Sequence, residues 1–443
     1  MSLYAQYFYS VQADELLSDK HLIAQMLRFE GTLALAQAEQ GLIPQASAEA
    51  IANCCQTDLI DTESLIAAVR LGGNAAIPLI KQLTQAVKQK YPEAAGWVHL
   101  GATSQDVIDT ATVLQIEEFI YWLDEKLAVL SELLMSLSRR HRQTLMVGRT
   151  LLQQAKPITF GLKTAYWLAG IERTRERIAA IESKILTLQL GGAVGSGNTF
   201  ISAAVQQNLA DKLNLNAGFA WHTQRDNLAE WAAVLGIIGG SLGKIAKDIA
   251  LLMQTEIAEV LEGAAEGKGG SSTMPHKQNP VLCTAILANA NRLPPLVSTM
   301  LAAMPQEHER SAGLWHSEWE VLTEIMRLVA GSVERSTELL EGLEVAPQQM
   351  LSNLERTNGL IYAENVSLAL APKLGKAQAH ELLEQAVKRA VSEQKHLKTV
   401  LTDMALDLPD LDELFSPEKS IGNSLLIIDE ILAGIEPDKY QKT

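Results

Sequence analysis

Gly269 to Pro280 reads GGSSTMPHKQNP, and it places two serines, a histidine, a lysine and an asparagine within nine positions. The leading glycines let the backbone take conformations that other residues avoid, and Pro275 and Pro280 interrupt any helix. A linker has little use for such a concentration of polar groups, whereas loops on rigid scaffolds often carry chemistry. A second polar cluster, HLGATSQD, runs from His99 to Asp106, and its Thr103, Ser104 and Asp106 are candidate helix caps. Others are GRTLLQQAKPITFG (148–161), GGAVGSGNTF (191–200), WHTQRD (221–226) and PQEHERSAGLWHSEWE (305–320).

These residue types suit anions. Arg149, Arg225 and Arg310 offer guanidinium forks that match carboxylates. Thr103, Ser104, Ser271 and Ser272 add hydroxyls, with Lys277 and Asn279 beside the serine pair. His99, His222, His276, His308 and His316, five of nine histidines, fall in these stretches. Any one of them alone reads best as a packing or surface residue. Together they fit proton chemistry next to a carboxylate. Removing a proton alpha to a carboxylate leaves a doubly negative species, which needs donors and an ammonium around it. A serine alkoxide can serve as base where loop N–H groups and a lysine lower its pKa. Nucleotide loops do not fit: Gly263 and Gly267 enclose three residues rather than four, and GGAVGSG lacks the dinucleotide spacing. No spacing of ligands suggests a metal, and no cofactor is expected.

The elements that must position these groups are helical. Apolar residues recur at spacings of three and four in three blocks, Ile116 to Leu137, Leu162 to Leu188, and Leu228 to Val260. Each block runs about 30 residues, or about 45 Å of helix. Helices of that length pack side by side in a bundle. Their broad apolar faces suggest burial against partner chains as well. Upstream, Asp19 is a candidate cap for a helix through Phe29 and Leu35, with Glu30 and Glu39 on its polar side. No stretch reads as a convincing strand. The expected fold is all-α in three helical domains, 1–110, 111–350 and 351–443, the middle one a bundle of long helices.

The chain has 443 residues, 47% of them hydrophobic and 20% charged, which is ample for a large core. A net charge of −15 argues against a nucleic-acid partner and requires any anionic ligand to be held by local cations. Three cysteines, Cys54, Cys55 and Cys283, form no disulfide framework, so a reducing cytoplasm is expected. The N-terminus does not read as a signal peptide, and no apolar run reads as a membrane span.

GGSSTMPHKQNP resembles the signature loop of the fumarase/aspartase superfamily, G-S-S-x-M-P-x-K-x-N-P, and HLGATSQD and GRTLLQQAKPITFG resemble its two other shared regions, in the same order. The likeness extends over essentially the whole chain. It implies a homotetramer whose active sites gather residues from three subunits. It also implies Ser271 as the proton carrier, Lys277 and Asn279 as substrate ligands, and Thr103 and Ser104 as holders of a carboxylate. Gln105, Arg310 and Ser311 are further candidate anchors, with His99, His222 and His276 behind them. WHTQRD, SLGKIAKDIALLMQTE, AAMPQEHERSAGLWHSEWE and LGKAQAHELLEQAVKRAV are similar to the superfamily's cycloisomerase branch. That branch lactonizes a carboxylated cis,cis-muconate in protocatechuate breakdown.

One departure from the wider superfamily bears on this. Its amine-expelling lyases have R-T-H where this chain has Arg149-Thr150-Leu151. Leu151 cannot protonate a departing amine, whereas a carboxylate leaving group is a stable anion that gains little from an acid. An adenylosuccinate-type lyase and a non-catalytic helical assembly are the alternative readings.

Overall fold

A computed structural model describes residues 3–263, 269–270, 274, 276–408 and 410–435. The three long apolar blocks and the helix after Asp19 form helices where the spacing puts them, and two further long helices follow the signature loop. α1 spans Asp19–Glu39, α2 Ser104–Arg140, α3 Phe160–Ile185, α4 Asp226–Leu252, α5 Val281–Ala302 and α6 Leu314–Glu341. On α2 the predicted stripe of Ile116, Phe119, Ile120, Leu123, Leu127, Leu130, Leu134 and Leu137 is buried throughout. Full burial of each such side chain contributes about 1.5–3 kcal/mol before the entropy of ordering it is subtracted. α4 is long and apolar enough to cross a membrane by length and composition. Its Trp231, Leu235, Ile238, Leu242 and Ile249 are nevertheless fully buried within the protein, as a core helix requires.

Helix ends follow local chemistry. α1 begins one residue after Ser18, whose hydroxyl accepts from His21 N–H at 3.2 Å, so Ser18 rather than Asp19 is the cap. α2 begins after Thr103, whose own N–H donates to the Asp106 carboxylate at 3.0 Å, one half of a reciprocal cap. Glu30 departs from its expected polar face. It is only 1% exposed, because His99 arrives from the loop before α2 and pairs with it.

Strands correct the expectation of a purely helical chain. β1 (Leu145–Thr150) pairs antiparallel with β2 (Gln153–Thr159), with a bulge between Gly148 and Arg149. The two-residue turn is Leu151-Leu152, with φ of 49° and 65°, the left-handed conformation of the favoured hairpin turn. Asn and Gly normally fill those positions. β3 (Val260–Leu261) pairs with β4 (Glu344–Val345), so Val260 belongs to a strand and not to the end of the third helical block.

The chain forms two compact units. One comprises Met1–Leu127, Thr174–Leu242 and Ala285–Glu334; the other comprises Ala128–Arg173, Gly243–Thr284 and Arg335–Thr443. In the first, α4 and α5 approach closely at Gly239, where a Cβ would come within 2.0 Å of Leu293. In the second, a small helical core forms around Val366, Leu370, Leu397, Val400 and Leu401.

Candidate active site

In the first unit, α2 opens onto the glycine-rich loop GGAVGSG, and Asp106 joins them. Its Oδ1 accepts from Gly191 N–H at 2.9 Å and from Gln189 Nε2 at 3.0 Å. Its Oδ2 accepts from Gly192 N–H at 2.9 Å and from Thr103 N–H. His222 Nε2 lies 3.1 Å from Oδ1. A side chain with no exposure thus gathers five N–H groups, the arrangement that a buried carboxylate needs. Gly191 and Gly192 allow it. A Cβ on Gly191 would come within 2.5 Å of Ala220, and Gly192 has φ of 69°.

Gln105 extends this framework. Its Nε2 donates to His222 O at 2.8 Å and to Asp109 Oδ2 at 3.1 Å, which leaves Oε1 facing Arg310. Arg310 Nε donates to that Oε1 at 3.2 Å. Its Nη2 donates to Thr103 Oγ1 at 2.8 Å and to Ala193 O at 3.2 Å. All three acceptors are neutral. Arg310 makes no ion pair among the described residues, so its charge is held in place but not matched. Ser104 is half-buried at the first turn of α2, where N–H groups lack intrahelical partners and favour an anion.

The other two arginine forks are occupied by the protein itself. Arg225, 2% exposed, donates to both Asp109 oxygens, at 2.6 and 3.1 Å, and to Glu318 Oε2 at 2.5 Å. Trp315 Nε1 adds a bond to Asp109 and Gln306 Nε2 one to Glu318. Burial opposes the Arg225 charge, but the two carboxylates outweigh it and raise its pKa. Burial raises the Glu318 pKa, against the pull of Arg225 and with help from Asp109, since two acids here share one cation. In the second unit, Arg149 forms a two-pronged pair with Glu259 at 2.9 and 2.7 Å, and Asn353 Nδ2 adds a third bond to the fully buried Glu259.

His99 Nδ1 lies 2.6 Å from Glu30 Oε1. Burial disfavours the imidazolium, but the charge and hydrogen bond of Glu30, helped by Asp106, outweigh it and raise the pKa above its usual 6.5. With φ of 57°, His99 sits in strained backbone that this pairing helps to hold. Ser311 is differently placed. It is 3% exposed, accepts from Leu314 N–H as the cap of α6, and donates to Glu307. A cavity of about 320 Å³ shares Asp109 and Arg225 but none of Thr103, Gln105, His222 or Arg310; Leu22, Ile23, Met26, Leu65, Leu322 and Met326 give it apolar walls.

The signature loop belongs to the second unit. Ser271 lies outside the described residues. His276 and Lys277 are exposed, and Asn279 closes the loop base, with its backbone N–H and Nδ2 both donating to Gly269 O at 3.0 and 3.2 Å. Leu151, where the amine-expelling lyases have histidine, is 96% exposed at the tip of the β1–β2 hairpin.

The structure therefore brings Thr103, Gln105, His222 and Arg310 into one connected network. Asp106 was legible only as a cap, 191–200 only as a glycine-rich stretch and Glu30 only as a polar-face residue, while the part played by Gln189 was not legible at all. The Gly-Gly pair at 191–192 was conspicuous, but it lies 85 residues from the capping aspartate, so sequence alone did not join them.

Residues 2–294 match the family described as Lyase, and residues 359–431 match the family described as Adenylosuccinate lyase C-terminus. The 3-carboxy-cis,cis-muconate cycloisomerase of Acinetobacter baylyi is 46% identical, over 97% of this chain and 98% of that protein. The enzyme of the same name from Pseudomonas aeruginosa is 44% identical, over 98% of each. The crystal structure of the 3-carboxy-cis,cis-muconate lactonizing enzyme from Pseudomonas putida superposes with a TM-score of 0.91 at 44% identity, covering 97% of this chain and 98% of that one.

Proposed function

We propose a function from one premise: the chain belongs to the lyase family. The chain converts 3-carboxy-cis,cis-muconate to a carboxymuconolactone. One substrate carboxylate adds to the diene within the same molecule, forming the ring C–O bond. Ser271 delivers a proton to the carbon alpha to another carboxylate. In reverse, the Ser271 alkoxide removes that proton, and the ring carboxylate leaves as an anion. Lys277, Asn279 and loop N–H groups stabilise the aci-carboxylate. Thr103, Ser104, Gln105 and Arg310 hold a second carboxylate. Ser311 supports that end by capping α6, while His99, His222 and His276 are weaker candidate anchors. Nucleophile and leaving group both reside in the substrate, so no cofactor takes part. The enzyme works in the cytoplasm as a homotetramer with shared active sites.

The observation that carries the reading is the unmatched charge of Arg310, held against the Thr103 hydroxyl at the start of α2. It suits a polycarboxylate, and likeness to cycloisomerases over nearly the full chain supports the particular one. Exposed Leu151 supports lactonization over expulsion of an amine.

The test is to mix purified protein with 3-carboxy-cis,cis-muconate and follow the ultraviolet absorbance of the conjugated diene, with adenylosuccinate in parallel. Loss of the diene with formation of a lactone is the expected result. Consumption of adenylosuccinate instead would overturn it and favour the kinship of residues 359–431. Ser271→Ala is expected to abolish nearly all turnover while leaving the assembly intact.

A further inference from the structure

Arg310 is held between two loops. Its Nη2 donates to Thr103 Oγ1, at the end of the loop 99–103, and to Ala193 O in the loop 191–200, while Nε reaches Gln105 Oε1. Nη1 makes no hydrogen bond among the described residues, so it is the nitrogen left for a ligand. Where it points depends on how the two loops are spaced. Two amides fix that spacing. Gln37, on α1 and 1% exposed, donates from Nε2 to Leu100 O at 2.8 Å and to Phe200 O at 3.1 Å, one carbonyl from each loop. Asn198 donates from Nδ2 to Gly101 O at 2.8 Å and accepts from Phe200 N–H at 2.9 Å. The loops come close enough here to require glycine. Gly101 has φ of 82°, and a Cβ on it would come within 2.8 Å of Asn198 Oδ1 and 2.9 Å of the Phe200 Cβ. Asp106 holds the near end of the glycine-rich loop at Gly191 and Gly192, and Gln37 and Asn198 hold its far end. Ala193, which Arg310 reaches, lies between these anchors.

We infer that Gln37 and Asn198 are positioning residues for Arg310: by clasping the two loops they aim its free nitrogen at a substrate carboxylate. This rests on the polycarboxylate reading above. Neither side chain bonds to Arg310; each acts through the backbone of a loop that does. A guanidinium contact to a carboxylate is directional, and a fork already oriented loses less freedom when the ligand arrives. Arg310 would hold its carboxylate in the ground state and the transition state alike. Loosening the clasp therefore removes uniform binding, which raises KM and leaves kcat nearly unchanged.

The experiment is a pair of double-mutant cycles on the intact protein, Gln37→Met with Arg310→Ala and Asn198→Ala with Arg310→Ala. Calorimetry measures binding of tricarballylate, a tricarboxylate with no double bond to react, and diene absorbance gives KM and kcat for 3-carboxy-cis,cis-muconate. Each clasp variant alone is expected to weaken tricarballylate binding and raise KM about tenfold, with kcat within about twofold of the wild type. Joined to Arg310→Ala, each is expected to add almost nothing, because the group it positions is gone. A merely structural role gives equal losses with and without Arg310, or a fall in kcat at constant KM. Either result, or no loss in the single variants, would overturn the inference. Non-additive binding of tricarballylate without turnover of the muconate would overturn the function but leave the positioning role standing. Failure of the wild type to bind tricarballylate would overturn both. Thermal melting checks that Gln37→Met, at a buried position, is folded; Asn198 is exposed, so its cycle carries the same test independently.

Discussion

Arg225 and Arg310 lie in the same compact unit and share a neighbour, Gln105, through its hydrogen bonds to Asp109 and to Arg310. Their surroundings differ in one respect. Arg225 is enclosed with two carboxylates and is nearly inaccessible, whereas Arg310 is half-buried among neutral acceptors. A buried guanidinium with matched partners specifies packing, and removing it strands the acids. A positioned guanidinium without a carboxylate is ready for one from outside. The fold thus separates charge that builds the site from charge that serves a ligand.

The comparison predicts where damage will appear. Arg225→Met leaves Asp109 and Glu318 buried around a lost cation, and it is expected to cost about 3–5 kcal/mol of stability. Denaturant unfolding reads this directly; a variant as stable as the wild type would erase the distinction. Asp106→Asn turns an amide towards donors that need an acceptor. About 2–3 kcal/mol is expected to be lost, together with activity, because Gly191, Gly192 and His222 are all placed by that carboxylate. Melting temperature and kcat/KM measured together check both.

Glu30→Gln has the smallest and most pH-dependent effect. Glu30 raises the His99 pKa in the folded protein, so the pair's contribution is fully present below pH 6.5 and is lost as pH rises through the raised value. The stability gap between wild type and variant is therefore expected to be widest on the acid side of pH 6.5 and to narrow above it. Melting curves across that range would show a constant gap if the ion pair were irrelevant.

Sequence spacing alone located α2, α3 and α4, since a stripe such as that from Ile116 to Leu137 has one period and one buried face. It missed the β1–β2 hairpin because Leu151-Leu152 occupies a turn usually marked by Asn and Gly, and because Gly148 and Pro157 weaken the strand pattern. Glu30 looked solvent-facing on a helical wheel; its partner comes from 69 residues away. The three arginines were equal in sequence for the same reason. Arg225 is joined to acids 116 and 93 residues distant, and Arg149 to one 110 residues distant, separations across which local pattern carries no information. The polar clusters themselves were legible because their residue types are unusual between long apolar helices.

The most direct test of the account is Arg310→Ala, measured for turnover of 3-carboxy-cis,cis-muconate and for melting temperature in the same preparation. The account predicts a fall in kcat/KM of about 100-fold, on the order of 3 kcal/mol of lost substrate interaction, with melting nearly unchanged. An unchanged kcat/KM, or a collapse in stability like that expected for Arg225→Met, would contradict it.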